Sequence, residues 1–202
     1  MPRLALLLTT FIWGATFPAT KAVLQQIPPF SFLFLRFLLG ALLVGAGYLF
    51  WRLRLHREPA VLRASAIATC WLFLGYALQT VGLNYTTASN SAFITALYVV
   101  IVPLILRRFE RRVWVATGIA MVGLWLLVKP SASGNLGDVL TLGCAVAFAA
   151  HIACLERFTR DVDQPSLFAW QMMASVVLLF PTMLIEQAPA EAFAKAHDTR
   201  KI

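Results

Sequence analysis

Charged residues are scarce in this sequence, and their scarcity decides the class of protein to which it belongs. Asp, Glu, Lys and Arg make up 13% of the 202 residues, whereas 60% of the residues are hydrophobic. Soluble domains typically have about 25% charged residues and about 45–50% apolar residues. The composition therefore excludes an ordinary soluble domain and predicts a membrane protein with several spans.

Acidic residues are fewer than basic ones, 9 against 17, which gives a net charge of +8. Positive charge is also typical of nucleic-acid-binding proteins, but those carry a basic face with interleaved aromatic residues. Here the basic residues lie in short segments between apolar runs. We therefore expect no nucleic acid among the partners.

Residue patterns for catalysis and cofactor binding are absent as well. The sequence contains no HExxH motif, no paired carboxylates inside an apolar run and no phosphate-binding glycine loop. Its three cysteines, Cys70, Cys144 and Cys154, all lie in apolar runs, where they are expected to be packing residues and not a disulfide framework. We predict no enzymatic activity, no catalytic residue, no cofactor and no metal site.

What the sequence does contain is a series of seven apolar runs, each bounded by charged or turn residues. They are Leu4–Leu24, Pro29–Phe50, Ala64–Gly82, Thr86–Leu106, Val113–Val128, Val139–Leu155 and Pro165–Ile185. A helix needs about 20 apolar residues to cross a bilayer, and most of these runs are close to that length. The predicted fold class is an all-α integral membrane protein, a polytopic bundle of about seven transmembrane helices.

Arginine is distributed unevenly among the segments that join these runs. Arginine-rich segments follow the second, fourth and sixth runs, whereas the alternate segments hold only Lys21 and Lys129. By the positive-inside rule, the arginine-rich side is cytoplasmic. We therefore predict a multi-pass protein of the cell (inner) membrane with a cytoplasmic N-terminus.

The fourth run carries its polar residues on one side of the predicted helix. At about 100° per residue, one arc contains hydroxyl-bearing residues and the arc beside it contains alanines. The hydroxyl arc consists of Thr87, Ser91, Thr95 and Tyr98, and the alanine arc of Ala88, Ala92 and Ala96. This pattern is typical of a helix that faces a water-filled cavity, and equally of one that is hydrogen-bonded to its neighbours.

Four motifs together resemble the EamA-type branch of the drug/metabolite transporter superfamily. They are the segment from Tyr85 to Tyr98, the segment Trp13–Phe17 with Lys21, Pro29 with Arg36 and Phe37, and Gly137 and Asp138 leading into Ala147 and Phe148. The resemblance implies ten helices in two inverted repeats of five around a central substrate cavity. Residues 1–128 would then be the first repeat, 129–138 a linker with Asp138 as helix N-cap, 139–185 the first two helices of the second repeat, and 186–202 a polar tail.

Compared with that family pattern, three helices of the second repeat are missing from this sequence. A fragment, a shortened gene and a protein completed by association, such as a homodimer, all remain open. The leading interpretation is a secondary transporter that exports small amphipathic metabolites, amino-acid-like or otherwise neutral or zwitterionic, by alternating access. The alternative is a non-transporting, truncated membrane module or fragment that works only with a partner or with the missing helices.

The candidate substrate cavity is aromatic and hydroxylic but almost uncharged, which suits neutral or zwitterionic solutes better than polyanions. Besides the small-molecule substrate, the lipid bilayer is the expected partner. The cavity residues that we predict are Trp13, Thr16, Tyr76, Gln79, Ser91, Thr95, Tyr98 and His151. His151 is the one histidine inside an apolar run, and it is either a functional group or a neutral packing residue.

Two cations near the predicted outer surface are candidates for gating or charge recognition. Lys21 either snorkels to the membrane interface or, as the family resemblance implies, takes part in gating or an ion pair. Arg36 lies about two turns inside the membrane, where a cation costs about 2.5–3.5 kcal/mol or more unless it finds partners. It is either a structural anchor to loop carbonyls or a contact to an anionic group of the substrate.

Overall fold

The computed structural model of the protein describes residues 2–128 and 135–198, with side chains for 4–126 and 135–187. All regular elements in these ranges are α-helices. They are α1 (Pro2–Val23), α2 (Pro29–Phe50), α3 (Pro59–Leu83), α4 (Ala88–Ala96), α5 (Tyr98–Ile105), α6 (Arg111–Val128), α7 (Leu136–Phe158) and α8 (Gln164–Asp198). Each predicted apolar run corresponds to one helix, except that the fourth run forms both α4 and α5.

Five of the described segments are long and apolar enough to cross a membrane. They are Pro29–Phe50, Pro59–Tyr85, Ala88–Ile105, Leu136–Phe158 and Gln164–Gln187. Large apolar side chains on α1 and α6 are exposed, among them Phe11, Ile119 and Val122. Such exposure fits a bundle whose outer surface faces lipid. The predicted fold class, a polytopic helical membrane protein, is confirmed.

The sequence predicted one uninterrupted helix for the fourth span, but the structure divides this span into α4 and α5. Leu97 separates α4 from α5, and the chain there tightens into two hydrogen bonds of the i→i−3 type. Leu97 N–H donates to the Ile94 carbonyl over 3.1 Å, and Val100 N–H donates to the Leu97 carbonyl over 2.9 Å. A tight turn within a span is a common site of bending.

The core of the bundle lies between α2, α3, α7 and α8. Its buried cluster consists of Leu33, Phe37, Leu72, Cys144, Phe148 and Leu179. Gly75 lets α3 approach α7, because a Cβ atom at this position would be 2.5 Å from the Phe148 ring. Small residues at helix interfaces commonly permit such close packing in membranes.

The N-terminus of α2 is held by a carboxylate from α8. Glu186 accepts hydrogen bonds from Phe30 N–H over 3.2 Å and from Ser31 N–H over 2.9 Å. The first N–H groups of a helix have no partner within the helix, and a negative charge is favourable there. Glu186, which the sequence placed in a polar tail, therefore joins α8 to α2.

One prediction at the linker is wrong. Asp138 is not the N-cap of α7, because α7 begins at Leu136 and Asn135 accepts a hydrogen bond from Asp138 N–H over 2.9 Å. Asp138 lies instead in the first helical turn. The last helix continues to Asp198, into the predicted polar tail, while its apolar span, Gln164–Gln187, agrees with the predicted run Pro165–Ile185. Residues 129–134 of the predicted linker, including Lys129, and residues 199–202 of the predicted tail lie outside the described ranges.

Candidate functional site

A central pocket of about 180 Å³ lies where α1, α3, α5 and α7 meet. We use the name central pocket for the space lined by these residues: Trp13, Leu72, Tyr76, Tyr98, Phe148, His151 and Ile152. None of these residues is Asp, Glu, Lys or Arg. Four of the eight predicted cavity residues are therefore brought together here: Trp13, Tyr76, Tyr98 and His151.

Aromatic contacts fix the rings of the central pocket. The Trp13 and Tyr98 ring centroids are 5.7 Å apart, which joins α1 to α5. Tyr76 and Phe148 meet edge to face at 5.1 Å, and Tyr76 also meets Phe37 edge to face at 5.3 Å. Offset and edge-to-face pairs are the favoured arrangements of aromatic rings. The pocket therefore has walls whose positions are set from several helices.

His151 is the one residue of the central pocket that contains a basic nitrogen. Its side chain is 9% exposed, and its Nδ1 atom lies 3.0 Å from the carbonyl oxygen of Ala68 on α3. The amide nitrogen of Gln171 on α8 lies 3.5 Å from the same ring nitrogen. The Nε2 atom has no hydrogen-bond partner within the described part of the chain.

The other four predicted cavity residues do not line this pocket. Gln79 donates to the hydroxyl of Thr95 over 3.2 Å, and both side chains are buried. Ser91 is fully buried, and its hydroxyl oxygen has no hydrogen-bond partner among the described residues. The hydroxyl of Thr16, which is half-buried, donates to the Trp13 carbonyl over 2.6 Å.

The hydroxyl arc of α4 therefore does not face a water-filled cavity while the alanine arc packs on a neighbouring helix. Ser91 and Thr95 are buried, and Thr95 lies 4.0 Å from the sulfur of Cys144 on α7. Ala88, Ala92 and Ala96 are only half-buried. Of the hydroxyl arc, Tyr98 alone lines the central pocket. The hydroxyl of Thr95 thus joins α4 to α3 and α7, as in one of the two alternatives that the sequence left open.

One end of the bundle is held together by Lys21. Its ammonium donates to the carbonyls of Leu83 and Thr86, the latter over 2.8 Å. These carbonyls lie at the C-terminal end of α3 and just beyond it, where a cation is favourable because the last carbonyls of a helix have no internal partner. Lys21 thereby joins α1 to the segment between α3 and α4.

Asp138 at the start of α7 completes this end. Its carboxylate accepts from the Thr86 hydroxyl over 2.6 Å and from the Asn90 side-chain amide over 3.0 Å. A Cβ atom on Gly137 would lie 2.5 Å from the Gly82 carbonyl oxygen, so the backbones of α3 and α7 touch. We call this set of residues the clamp: Lys21, Gly82, Thr86, Asn90, Gly137 and Asp138. Sequence reasoning had not singled out Gly82, Thr86 or Asn90.

Toward the opposite end, a second pocket of about 320 Å³ adjoins the central pocket, with which it shares the lining residues Tyr98 and Ile152. We call it the vestibule, and its lining is Tyr98, Val99, Val102, Pro103, Leu106, Arg108, Val113, Thr117, Ile152 and Glu156. Glu156 pairs with Arg108 and, over 3.4 Å, with Arg160. The vestibule therefore lies between the central pocket and the arginine-rich end.

Arg36 on α2 lies beside the central pocket but not in its lining. Its guanidinium carbon is 4.8 Å from the centroid of the Tyr76 ring, a cation–π contact. Within the described ranges it has no ion pair, and no loop carbonyl binds it. The aromatic contact is a third arrangement beside the two alternatives that the sequence left open, and a contact to an anionic group of the substrate stays a prediction.

The geometry equips this site for binding a solute between helices. In the part of the chain that the structure describes, no three His, Cys, Asp or Glu side chains come together as a metal site would require. The central pocket instead offers aromatic faces, two phenol hydroxyls, one indole N–H and one imidazole nitrogen. Such a surface binds amphipathic molecules through apolar contact and a few hydrogen bonds.

A sequence model of the EamA-like transporter family matches residues 2–129. An uncharacterized transporter of Archaeoglobus fulgidus is 37% identical over 183 residues, which cover 88% of this chain and 56% of that protein. A second uncharacterized transporter of the same organism is 28% identical over 194 residues, 91% of this chain and 67% of that protein. The uncharacterized transporter YvbV of Bacillus subtilis is 31% identical over 196 residues, 88% of this chain and 61% of that protein.

This chain therefore spans between 56% and 67% of the length of these three relatives. No solved structure matches it at a significant level. The family match covers helices α1 to α6, which contribute Trp13, Leu72, Tyr76 and Tyr98 to the central pocket.

Proposed function

This chain belongs to the EamA-like transporter family, and on that premise we propose that it acts in a secondary transporter that exports small amphipathic metabolites. The proposed solutes are amino-acid-like, or otherwise neutral or zwitterionic. Transport would proceed by alternating access, in which a site near the middle of the membrane opens to one side at a time.

The observation that carries this proposal is the lining of the central pocket. Four aromatic rings surround it, and none of its residues is Asp, Glu, Lys or Arg. An aromatic lining favours the apolar body of a solute, and the absence of an opposite charge disfavours polyanions and polycations. Trp13, Tyr76, Tyr98 and His151 are the residues that we propose to contact the solute.

The unequal ends of the bundle support alternating access. The central pocket adjoins the vestibule, whereas the clamp joins α1, α3, α4 and α7 at the other end. If the arginine-rich end is cytoplasmic, the pocket is open to the cytoplasm and closed to the outside. An exporter would load its solute in this state. Lys21 is then a candidate gating residue, since it must release its carbonyls when the outer end opens.

Orientation is tested by labelling single cysteines in intact cells with an impermeant thiol reagent. Position 85 is exposed at the clamp end and position 109 at the arginine-rich end, so Tyr85→Cys and Phe109→Cys form a matched pair. The native cysteines are first replaced by alanine. We expect the reagent to modify position 85 and to spare position 109; the reverse pattern would invert the proposed topology.

Transport is tested by reconstituting the protein in liposomes and measuring the movement of a panel of radiolabelled neutral amino acids. Trp13→Ala removes an aromatic wall of the central pocket and should slow transport by up to roughly tenfold. Trp125→Ala is the matched control, because Trp125 is exposed on α6, outside the pocket. A folded protein that moves no solute of the panel, or equal rates for the two variants, would count against the proposal.

A homodimer remains a prediction, as does the alternative of a module that transports only with a partner. Both are examined by measuring the mass of the protein in nanodiscs beside the transport assay. A transporting monomer would contradict both, whereas transport confined to a dimer or to a complex with another chain would support one of them.

A further inference from the structure

The hydrogen bond between His151 and Ala68 fixes which ring nitrogen carries the proton. The Ala68 carbonyl oxygen can only accept a hydrogen bond, and it lies 3.0 Å from Nδ1. Nδ1 must therefore be the protonated nitrogen of the ring. The amide nitrogen of Gln171 lies 3.5 Å from the same atom, and this side chain fits the tautomer once its amide is turned by 180° so that the oxygen accepts from Nδ1–H.

In the neutral form of this tautomer, Nε2 has a lone pair and no proton. No described residue donates a hydrogen bond to it, although His151 is only 9% exposed and lines the central pocket. Nε2 is not among the buried side-chain atoms that lack a partner, so it remains accessible, and a donor on a solute can reach it. Because Nδ1 is bonded to Ala68, Nε2 is the ring nitrogen through which His151 is available to the central pocket that it lines.

We propose that Nε2 of His151 is the specificity-determining acceptor of the central pocket, and that the pocket selects solutes that carry an N–H or O–H donor beside an aromatic or apolar body. This inference rests on the proposed function, because it assumes that the pocket is where the solute binds. The donor bonds to Nε2 while the body of the solute contacts Trp13, Tyr98 and Phe148.

The aromatic rings offer a competing kind of recognition. Organic cations bind to aromatic faces without any hydrogen bond. Arg36 is 4.8 Å from the Tyr76 ring centroid, so one wall of the pocket already has a positive charge beside it. This charge disfavours a cation in the pocket, and it favours a neutral donor or a zwitterion as the solute that His151 binds.

Two neutral probes that differ in one donor test the proposal by calorimetry on the protein in nanodiscs. N-methylbenzamide has an N–H donor, and N,N-dimethylbenzamide has none. Heats from empty nanodiscs are subtracted, because both probes partition into lipid. One net hydrogen bond corresponds to about a 2- to 10-fold preference for N-methylbenzamide. Equal affinities in the unaltered protein, or no binding of either probe, would overturn the proposal.

Two variants of His151 separate the role of Nε2 from that of Nδ1. The amide of His151→Asn takes the place of Nδ1 and still donates to Ala68, but it offers nothing at Nε2. The longer His151→Gln side chain places an amide oxygen near the position of Nε2. We expect the preference to fall to about 1 in the Asn variant and to persist in the Gln variant. An unchanged preference in the Asn variant would refute the assignment.

A spectroscopic measurement does not depend on how well the variants fold. With ¹⁵N-labelled histidine, the Nε2 resonance of His151 should shift when N-methylbenzamide is added and stay in place with N,N-dimethylbenzamide. A resonance that both probes shift equally would contradict the proposal. Binding is measured here without transport, so a protein that selects the N–H probe but moves no solute would contradict the proposed function alone.

Discussion

The two ends of the helix bundle are built in opposite ways. At the clamp, α3 and α7 touch backbone to backbone at Gly82 and Gly137, and Asp138 accepts side-chain hydrogen bonds from Thr86 and Asn90. At the vestibule, the helices leave a pocket of about 320 Å³. Glu156 is half-buried there, and it pairs with the exposed side chains of Arg108 and Arg160. One end is closed by packing and shielded hydrogen bonds, and the other is joined mainly by surface charges.

This difference indicates where a change of state would cost most. Exposed ion pairs contribute about 0–1 kcal/mol each, so rearranging the vestibule costs little. Removing a partner from a shielded hydrogen-bond network costs about 1–3 kcal/mol per group left unpaired. Under the proposed alternating-access function, opening the clamp would therefore be the costly half of the cycle, and bound solute would have to offset that cost.

The largest expected effect is the loss of the backbone contact at the clamp. In Gly137→Ala the new Cβ atom would lie 2.5 Å from the Gly82 carbonyl oxygen and 2.7 Å from Thr86 N, and backbone cannot move aside cheaply. We expect the free energy of unfolding to fall by about 1–3 kcal/mol. The midpoint of thermal unfolding in detergent, read by size-exclusion chromatography, measures the change.

Gly123→Ala on α6 is the control for this change, because nothing lies within 4 Å of a Cβ atom there. Alanine in a helix is favoured over glycine by about 0.5–1 kcal/mol, so the control should be neutral or slightly stabilising. If both variants unfold at the same temperature, the clamp is not closed by backbone contact.

A smaller effect is expected from two acids at opposite ends of the same helix. Asp138→Ala removes the acceptor of Thr86 and Asn90 and should cost about 1–3 kcal/mol. Glu156→Ala removes only ion pairs to exposed arginine side chains, so the free energy of unfolding should fall by about 0–1 kcal/mol. Thermal unfolding of both variants in the same detergent gives the comparison. A costlier loss at position 156 would reverse the interpretation of the two ends.

The third effect concerns α4, which runs from the clamp toward the central pocket. Ser91 and Thr95 are buried, whereas Ala92 and Ala96 are half-buried. Single cysteines at positions 91 and 95 should therefore react with a small polar thiol reagent more slowly than those at 92 and 96, by roughly tenfold. Faster labelling at 91 and 95 would mean that the hydroxyl arc faces water, as in the alternative that the sequence left open.

The positions of the helices could be predicted from the sequence, because the length of each apolar run between charged segments can be read directly from the residues. It also named Trp13, Tyr76, Tyr98 and His151, since aromatic and polar residues inside apolar runs are few and conspicuous. The structure brings these four together. Whether they bind a solute stays a prediction, tested by the experiments above.

The sequence could not separate a helix face that lines a cavity from one that packs on a neighbour. Ser91 and Thr95 have the same periodicity in both cases, and only the position of α7 decides between them. The backbone contact of Gly82 with Gly137 joins residues far apart in the chain, so no local pattern reveals it. Glu186 was assigned to a tail because an acid after an apolar run is equally typical of a membrane boundary.

The smallest expected effect lies at the arginine-rich end and depends on pH. Asp163 precedes α8, and its carboxylate accepts from Ser166 N–H over 2.9 Å, as an N-cap does. Hydrogen bonds from the Ser166 side chain and backbone lower the pKa of Asp163 below its usual value, and His56, 3.4 Å away, acts in the same direction. Because the carboxylate is exposed, the effect on stability is small.

The sign of this effect follows from the lowered pKa. The folded state favours the charged carboxylate, so Asp163 contributes stability above its unfolded pKa of about 3.9, and that contribution is lost as the pH falls through the folded pKa. Asp163→Asn retains the N-cap acceptor but does not titrate. Between about pH 6 and pH 3, the unfolding temperature of the unaltered protein should therefore decrease slightly more than that of the variant. A steeper decrease in the variant would mean that the cap at Asp163 favours the neutral acid, which would contradict the lowered pKa.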